Sequence, residues 1–154
     1  MNTVKRIARC VLATATILMV PHVFSESATV NILAKTLYYE ARGEGEVGLR
    51  AVASVIKNRA MRHSKKSNGT TCVREARRRK QFSCWNGKKD LPVGKGEAWI
   101  MSIKIAKELN EDTFVVTHHR TSYYNYKQVT PPWSYGLEGI IIGNHRFVSV
   151  EEKS

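Results

Sequence analysis

Glu40 is the residue best placed for acid–base chemistry. Leu33, Leu37 and Glu40 are spaced i, i+4 and i+7, positions that share one face of an α-helix. An apolar stripe therefore ends in a carboxyl group, flanked by Tyr38 and Tyr39, where Gly43, Gly45 and Gly48 are expected to break the helix. A carboxyl so placed loses part of its hydration, which favours the neutral form that a general acid must hold before it reacts. The plainer alternative is a helix-end glutamate in an ion pair with Arg42 or Lys35, and spacing alone leaves both open. Glu44 is a second carboxylate in the same glycine-rich turn, while Asp90 is remote in sequence.

Two further groups of residues bear on chemistry. Gln81-Phe82-Ser83-Cys84-Trp85-Asn86 mixes rings with amides and hydroxyls, as carbohydrate-binding surfaces do, since rings stack on sugar C–H faces and amides bind hydroxyls. Tyr123-Tyr124-Asn125-Tyr126 and Pro131-Pro132-Trp133 repeat that mixture, and the prolines put these rings on a loop. Gln81, Phe82, Ser83, Trp85, Tyr124, Asn125 and Trp133 are thus the expected substrate contacts. Cys72 and Cys84 would close a short loop, and a disulfide between them is expected in an oxidising compartment. A zinc site with His118 and His119 is the weaker reading, because there is no Cys-x-x-Cys pair and adjacent histidines seldom reach one metal. No metal and no cofactor is expected.

The elements that must position these groups follow from periodicity. Thr29 or Asn31 can cap a first helix ending near Ala41. A second helix runs from about Glu46 to Met61, with Leu49, Val52, Ala53 and Ile56 on one face and Val55 beside it. Residues 62–80 read as a polar turn followed by a dense cationic run, Arg74 and Arg77-Arg78-Arg79-Lys80. Such a run is either a solvated face or a docking patch for an anionic polymer. A third helix is expected from about Glu97 to Asn110, with Trp99, Ile100, Ile103, Ala106 and Leu109 inward. Residues 113–117 read as a short extended segment and Ile140-Ile141-Ile142 as a buried strand or apolar end piece.

The chain has 154 residues, enough for one domain with a real core. Residues 1–25 read as an export signal: Lys5, Arg6 and Arg9 precede the apolar run from Cys10 to Val20, and Pro21 ends it. Cleavage after Ser25 is expected, with Ala28 the second choice. A releasable signal anchor is the alternative, and no later stretch is apolar enough to cross a membrane. The net charge is +12, and removing the three basic residues of the signal leaves +9. A charge of that size implies a polyanionic partner, which is nucleic acid, an anionic membrane face or an anionic cell wall, and export favours the last two.

The order of short motifs is specific. Tyr39-Glu40-Ala41-Arg42-Gly43-Glu44 is followed by Ala51-Val52-Ala53-Ser54-Val55-Ile56-Lys57-Asn58-Arg59, then Gln81-Phe82-Ser83, Tyr124-Asn125, Pro131, Trp133 and Ile142-Gly143-Asn144-His145-Arg146-Phe147. Over about residues 32–147 this resembles the SleB-type cell-wall hydrolase family, which includes spore-cortex-lytic enzymes and relatives in Gram-negative bacteria and phages. The chain departs from that pattern at Asn125, where many relatives carry histidine.

The resemblance implies a single α+β, mainly helical, lysozyme-like domain over residues 29–150 that cuts the glycan strands of peptidoglycan as a muramidase-like lytic transglycosylase. The family's catalytic glutamate matches Glu40, and Glu44 matches the same motif without an assigned role. Hydrolysis by inversion or retention needs two carboxylates across the scissile bond. One suffices if the muramoyl 6-hydroxyl is the internal nucleophile. The expected setting is the periplasm or cell wall, and the short basic chain also fits a phage endolysin exported by its host. The competing class is a non-enzymatic, exported cationic protein that binds wall or nucleic acid through Arg74 and Arg77 to Lys80.

Overall fold

A computed structural model of the protein describes residues 27–150, so the export signal read over residues 1–25 lies outside the described residues. Four helices, α1 (Ala28–Ala41), α2 (Gly45–His63), α3 (Gly69–Arg77) and α4 (Gly96–Asn110), precede three short strands. The strands are β1 (Ser122–Asn125), β2 (Gly139–Ile142) and β3 (His145–Val148). They form one antiparallel sheet in the order β1-β3-β2, with Tyr123 opposite Phe147 and Ile142 opposite His145. The protein is thus mainly helical with a small sheet.

The core lies among α1, α2 and α4, which pack on one another, with α3 against all three. Leu33, Leu37, Leu49, Val52, Ile56, Ile105 and Leu109 are fully buried there, joined by Phe82 and by Phe147 of β3. The i, i+4 stripe of α1 thus faces inward as expected, and cutting Leu33 or Leu37 back to alanine costs about 2–5 kcal/mol. The cap of α1 is Ser27, two residues before Thr29 and four before Asn31: its hydroxyl accepts from Val30 N–H at 3.2 Å.

Several elements differ from expectation. Helix α3 occupies the stretch read as turn and charge run, started by a capping box in which Asn68 and Thr71 exchange side-chain and backbone hydrogen bonds. Only small or polar side chains, Cys72, Glu75 and Ala76, are buried on it, so it carries little apolar signal. Helix α4 buries Ser102, Ile105, Ala106 and Leu109, which rotates Ile100 into solvent and leaves Trp99 half-buried against Tyr38. Residues 113–117 form no strand. Strand β2 is not buried but is an edge strand, with Ile140 and Ile141 37% and 58% exposed. Among the described residues no helix is long and apolar enough to cross a membrane.

Candidate active site

Glu40 sits in the last turn of α1, half-buried, and takes neither of the ion pairs that spacing allowed. Arg42 lies over the rings of Tyr38 and Tyr39, and Lys35 binds Asp90 at 2.7 Å. Instead the Tyr123 hydroxyl donates to Glu40 Oε2 at 2.8 Å. The Cys84 backbone N–H donates to Oε1 at 3.1 Å, and the Ser83 hydroxyl approaches the same oxygen at 3.4 Å. Three elements far apart in sequence thus converge on one carboxyl group: α1, the 3-10 turn Ser83–Trp85, and β1.

Tyr123 is held by ring contacts to Phe82, Phe147 and His145, with centroids 6.4, 5.3 and 5.1 Å away. Burial, and then the Glu40 charge, push its hydroxyl well above the usual tyrosine range, so it stays protonated and donates. Burial also lowers the pKa of His145, against the pull of Glu44 and Glu40, so the ring beside Tyr123 is neutral at neutral pH.

Glu44 is fully committed elsewhere. The Asn144 N–H donates to its Oε2 and the Asn144 side-chain amide to its Oε1, both at 2.8 Å. This bracket ties the α1–α2 turn to the tight turn between β2 and β3. Burial works against the charge, but the two Asn144 hydrogen bonds, His145 and Lys127 outweigh it and hold Glu44 below the usual carboxylate value. Two glycines make room for it. A β-carbon on Gly143, whose φ is 59°, would fall 1.8 Å from Glu44 Oε2. One on Gly48 would fall 2.1 Å from Glu44 Cβ, so Gly48 continues α2 rather than breaking a helix.

The motif Asn58-Arg59 has a similar architectural use. The Asn58 side-chain amide donates to the carbonyls of His118 and Arg120 at 2.8 Å, and Arg59 donates to that of Thr121. These bonds fix the chain entering β1, and so the position of Tyr123.

The expected substrate contacts divide. Ser83 is exposed beside Glu40, Gln81 is exposed and lines a cavity with Tyr123, and Trp133 is 48% exposed on its loop. Phe82 is buried beneath Tyr123 and supports it. Trp85 is buried too: its indole N–H donates to Thr36 Oγ1 at 2.9 Å and Arg77 lies 4.3 Å over its ring. Tyr124 points to the opposite face of β1 from Tyr123 and is buried against Trp133, and Asn125 caps its own turn through Lys127 N–H. The ring at Glu40 is therefore Tyr123, one position before the tyrosine singled out from sequence. Only the pairing of β1 with β3 sets which tyrosine faces Glu40.

The expected Cys72–Cys84 disulfide is not formed; both are free thiols. Cys72 is buried on α3, where burial pushes its pKa up to about 11. Cys84 sits at the acid, where burial and then the Glu40 charge push its thiol up. The cationic run is partly structural as well. Arg77 donates to the Lys89 carbonyl at 3.0 Å, and Arg78 approaches buried Glu75 at 3.6 Å, while Arg74, Arg79 and Lys80 are exposed.

Residues 43–148 match the cell wall hydrolase family model, and the chain belongs to that family. Glu40 lies just ahead of the matched span. The catalytic domain of the germination-specific lytic transglycosylase SleB from Bacillus anthracis is similar in fold: TM-score 0.59, 24% identity, covering 84% of this chain and 100% of that one. The catalytic domain of the Bacillus cereus SleB protein gives a TM-score of 0.57 at 23% identity, covering 79% of this chain and 89% of that one. The fold is thus lysozyme-like, shared with SleB catalytic domains. No curated protein matches the chain.

Proposed function

We propose that the protein cuts the glycan strand of peptidoglycan between MurNAc and GlcNAc as a lytic transglycosylase, with Glu40 as its one catalytic carboxyl group. The observation that carries this reading is the division of labour between the two motif carboxylates. Glu40 is half-buried beside exposed Ser83 and draws its donors from the 3-10 turn and β1, whereas Glu44 is held below the usual carboxylate value and braces the β2–β3 turn through Asn144. Two-carboxylate hydrolysis would ask Glu44 to serve as base or nucleophile while it holds that turn, with a basicity its two Asn144 hydrogen bonds reduce.

In this reading, protonated Glu40 donates its proton to the glycosidic oxygen as the C1–O bond breaks. The GlcNAc fragment leaves with a 4-hydroxyl, and the muramoyl C1 gains oxocarbenium character. The carboxylate so formed takes the proton of the muramoyl 6-hydroxyl while that oxygen bonds to C1. The product is a 1,6-anhydro end, Glu40 regains its proton, and no water is consumed. Tyr123 and the Cys84 N–H orient the carboxyl group and stabilise its ionised form between the two steps.

Export places the enzyme at its substrate, in the periplasm or cell wall, and the exposed charges of the run Arg74, Arg77 to Lys80 draw it to the anionic wall over about a Debye length, about 8 Å. The test is Glu40→Gln on purified peptidoglycan. Turnover should vanish while sedimentation with wall fragments persists. Undiminished clearing by that variant would favour the non-enzymatic cationic wall-binding class instead.

A further inference from the structure

Beside the acid lies an open cavity of about 380 Å³ whose lining includes Arg59, Arg62, His63, Lys80, Gln81 and Tyr123. No Asp or Glu is among its described lining residues. Tyr123 is the shared wall, since its hydroxyl donates to Glu40 on the other side. Arg59 is fixed by the Thr121 carbonyl, the Ser122 hydroxyl at 3.3 Å and the Phe82 ring 5.5 Å below it. Arg62 is steadied by the Val150 carbonyl at 3.0 Å. Buried Glu75 stands against His63 at 3.3 Å without lining the cavity.

Lys80 reaches this rim through an unusual backbone. Its φ is 62°, the left-handed region that a side chain with a β-carbon disfavours. Conformations of this kind persist where surrounding structure holds them, and they gather at ligand sites. The turn after α3 thereby places exposed Lys80, the end of the cationic run, on the rim of this cavity.

A peptidoglycan strand is neutral along its sugars. Its carboxylates hang from the muramoyl 3-O-lactyl arm, either as the lactyl carboxylate itself or on the peptide attached there. From this charge match we infer that the cavity is a subsite for a carboxylate on the lactyl-peptide arm of the muramoyl residue being cut. The inference rests on the reading of Glu40 as the acid that cuts a muramoyl bond. It makes the enzyme select strands by the charge of their side arm as well as by their sugars.

The test compares three substrates with the full protein at low salt: native strands, strands stripped to the lactyl carboxylate, and native strands whose carboxylates have been converted to amides. One charge pair at contact distance in water corresponds to about a fivefold effect, and the cavity offers more than one cation. Wild type should therefore show kcat/KM about 5- to 25-fold higher on native than on amidated strands, narrowing as salt is added. Arg62→Gln, and Lys80→Asn, which tolerates the left-handed backbone while losing the charge, should each bring native strands down towards the amidated level. Preference retained on stripped strands shows that the lactyl carboxylate, an amide while the peptide is attached, fills the subsite once it is freed. Preference lost on them assigns the carboxylate to the peptide. Equal cutting of native and amidated strands by wild type overturns the inference and leaves Glu40 chemistry standing. Failure to cut any of the three overturns the underlying reading instead.

Discussion

Replacing Glu44 with glutamine separates a bracket from a second catalytic carboxylate. Glu44 accepts two hydrogen bonds from Asn144, each 2.8 Å long and each to an ionised oxygen. Bonds of that kind contribute about 1.5–3 kcal/mol each. Glutamine keeps an acceptor for one N–H and turns a donor toward the other, so a loss of about 2–3 kcal/mol is expected. For a domain of this size that corresponds to a fall in Tm of about 8–12 °C. Turnover below the new Tm should stay within about tenfold of wild type, since Glu40 keeps its three donors.

The loss should also depend on pH. The Glu44 pKa is lower in the folded protein than the ordinary 4.5, so its contribution is present at neutral pH and fades as pH falls through the folded value. The melting curves of wild type and Glu44→Gln should therefore converge in acid. Circular dichroism melts from neutral to acid pH, paired with release of soluble fragments from peptidoglycan, give both readouts. An unchanged Tm with abolished turnover would refute the bracket and make Glu44 catalytic.

Tyr123→Phe removes one donor to Glu40 and leaves the ring contacts, so kcat should fall roughly tenfold, the equivalent of about 1.4 kcal/mol, with little change in Tm. Gly143→Ala drives a β-carbon into Glu44 Oε2, and its destabilisation should overlap with that of Glu44→Gln in the double variant rather than add to it. Because Cys72 and Cys84 are free, a reducing agent should leave the Tm of exported protein unchanged, and both should label with a thiol reagent only after unfolding. A Tm that drops on reduction would contradict the free thiols.

The helical part of the fold was legible because its periodic apolar residues are large: the buried faces of α1 and α2 are those read from spacing. Helix α3 was not, since what it buries is Cys72, Glu75 and Ala76, and its start is a capping box rather than an apolar run. Glu40 stood out as a candidate from its place at the end of a stripe. Its partners did not, because Tyr123 and Cys84 lie 83 and 44 residues away along the chain. Choosing between Tyr123 and Tyr124 requires the strand register, and a one-residue shift reverses the answer. The aromatic residues Phe82 and Trp85 had the composition of a sugar-binding surface but are buried beneath the site, which composition cannot distinguish. Glu44 matched the motif for a reason visible only in three dimensions, its bracket to Asn144 100 residues on.

Mass spectrometry of the fragments released from purified peptidoglycan addresses the role of Glu40 as lone acid and base most directly. Wild type should release muramoyl ends in the 1,6-anhydro form, one water lighter than reducing ends, and incubation in ¹⁸O-labelled water should add no label to them. Glu40→Gln should release none. Reducing muramoyl ends carrying ¹⁸O would show that water is the nucleophile and would contradict the single-carboxylate mechanism.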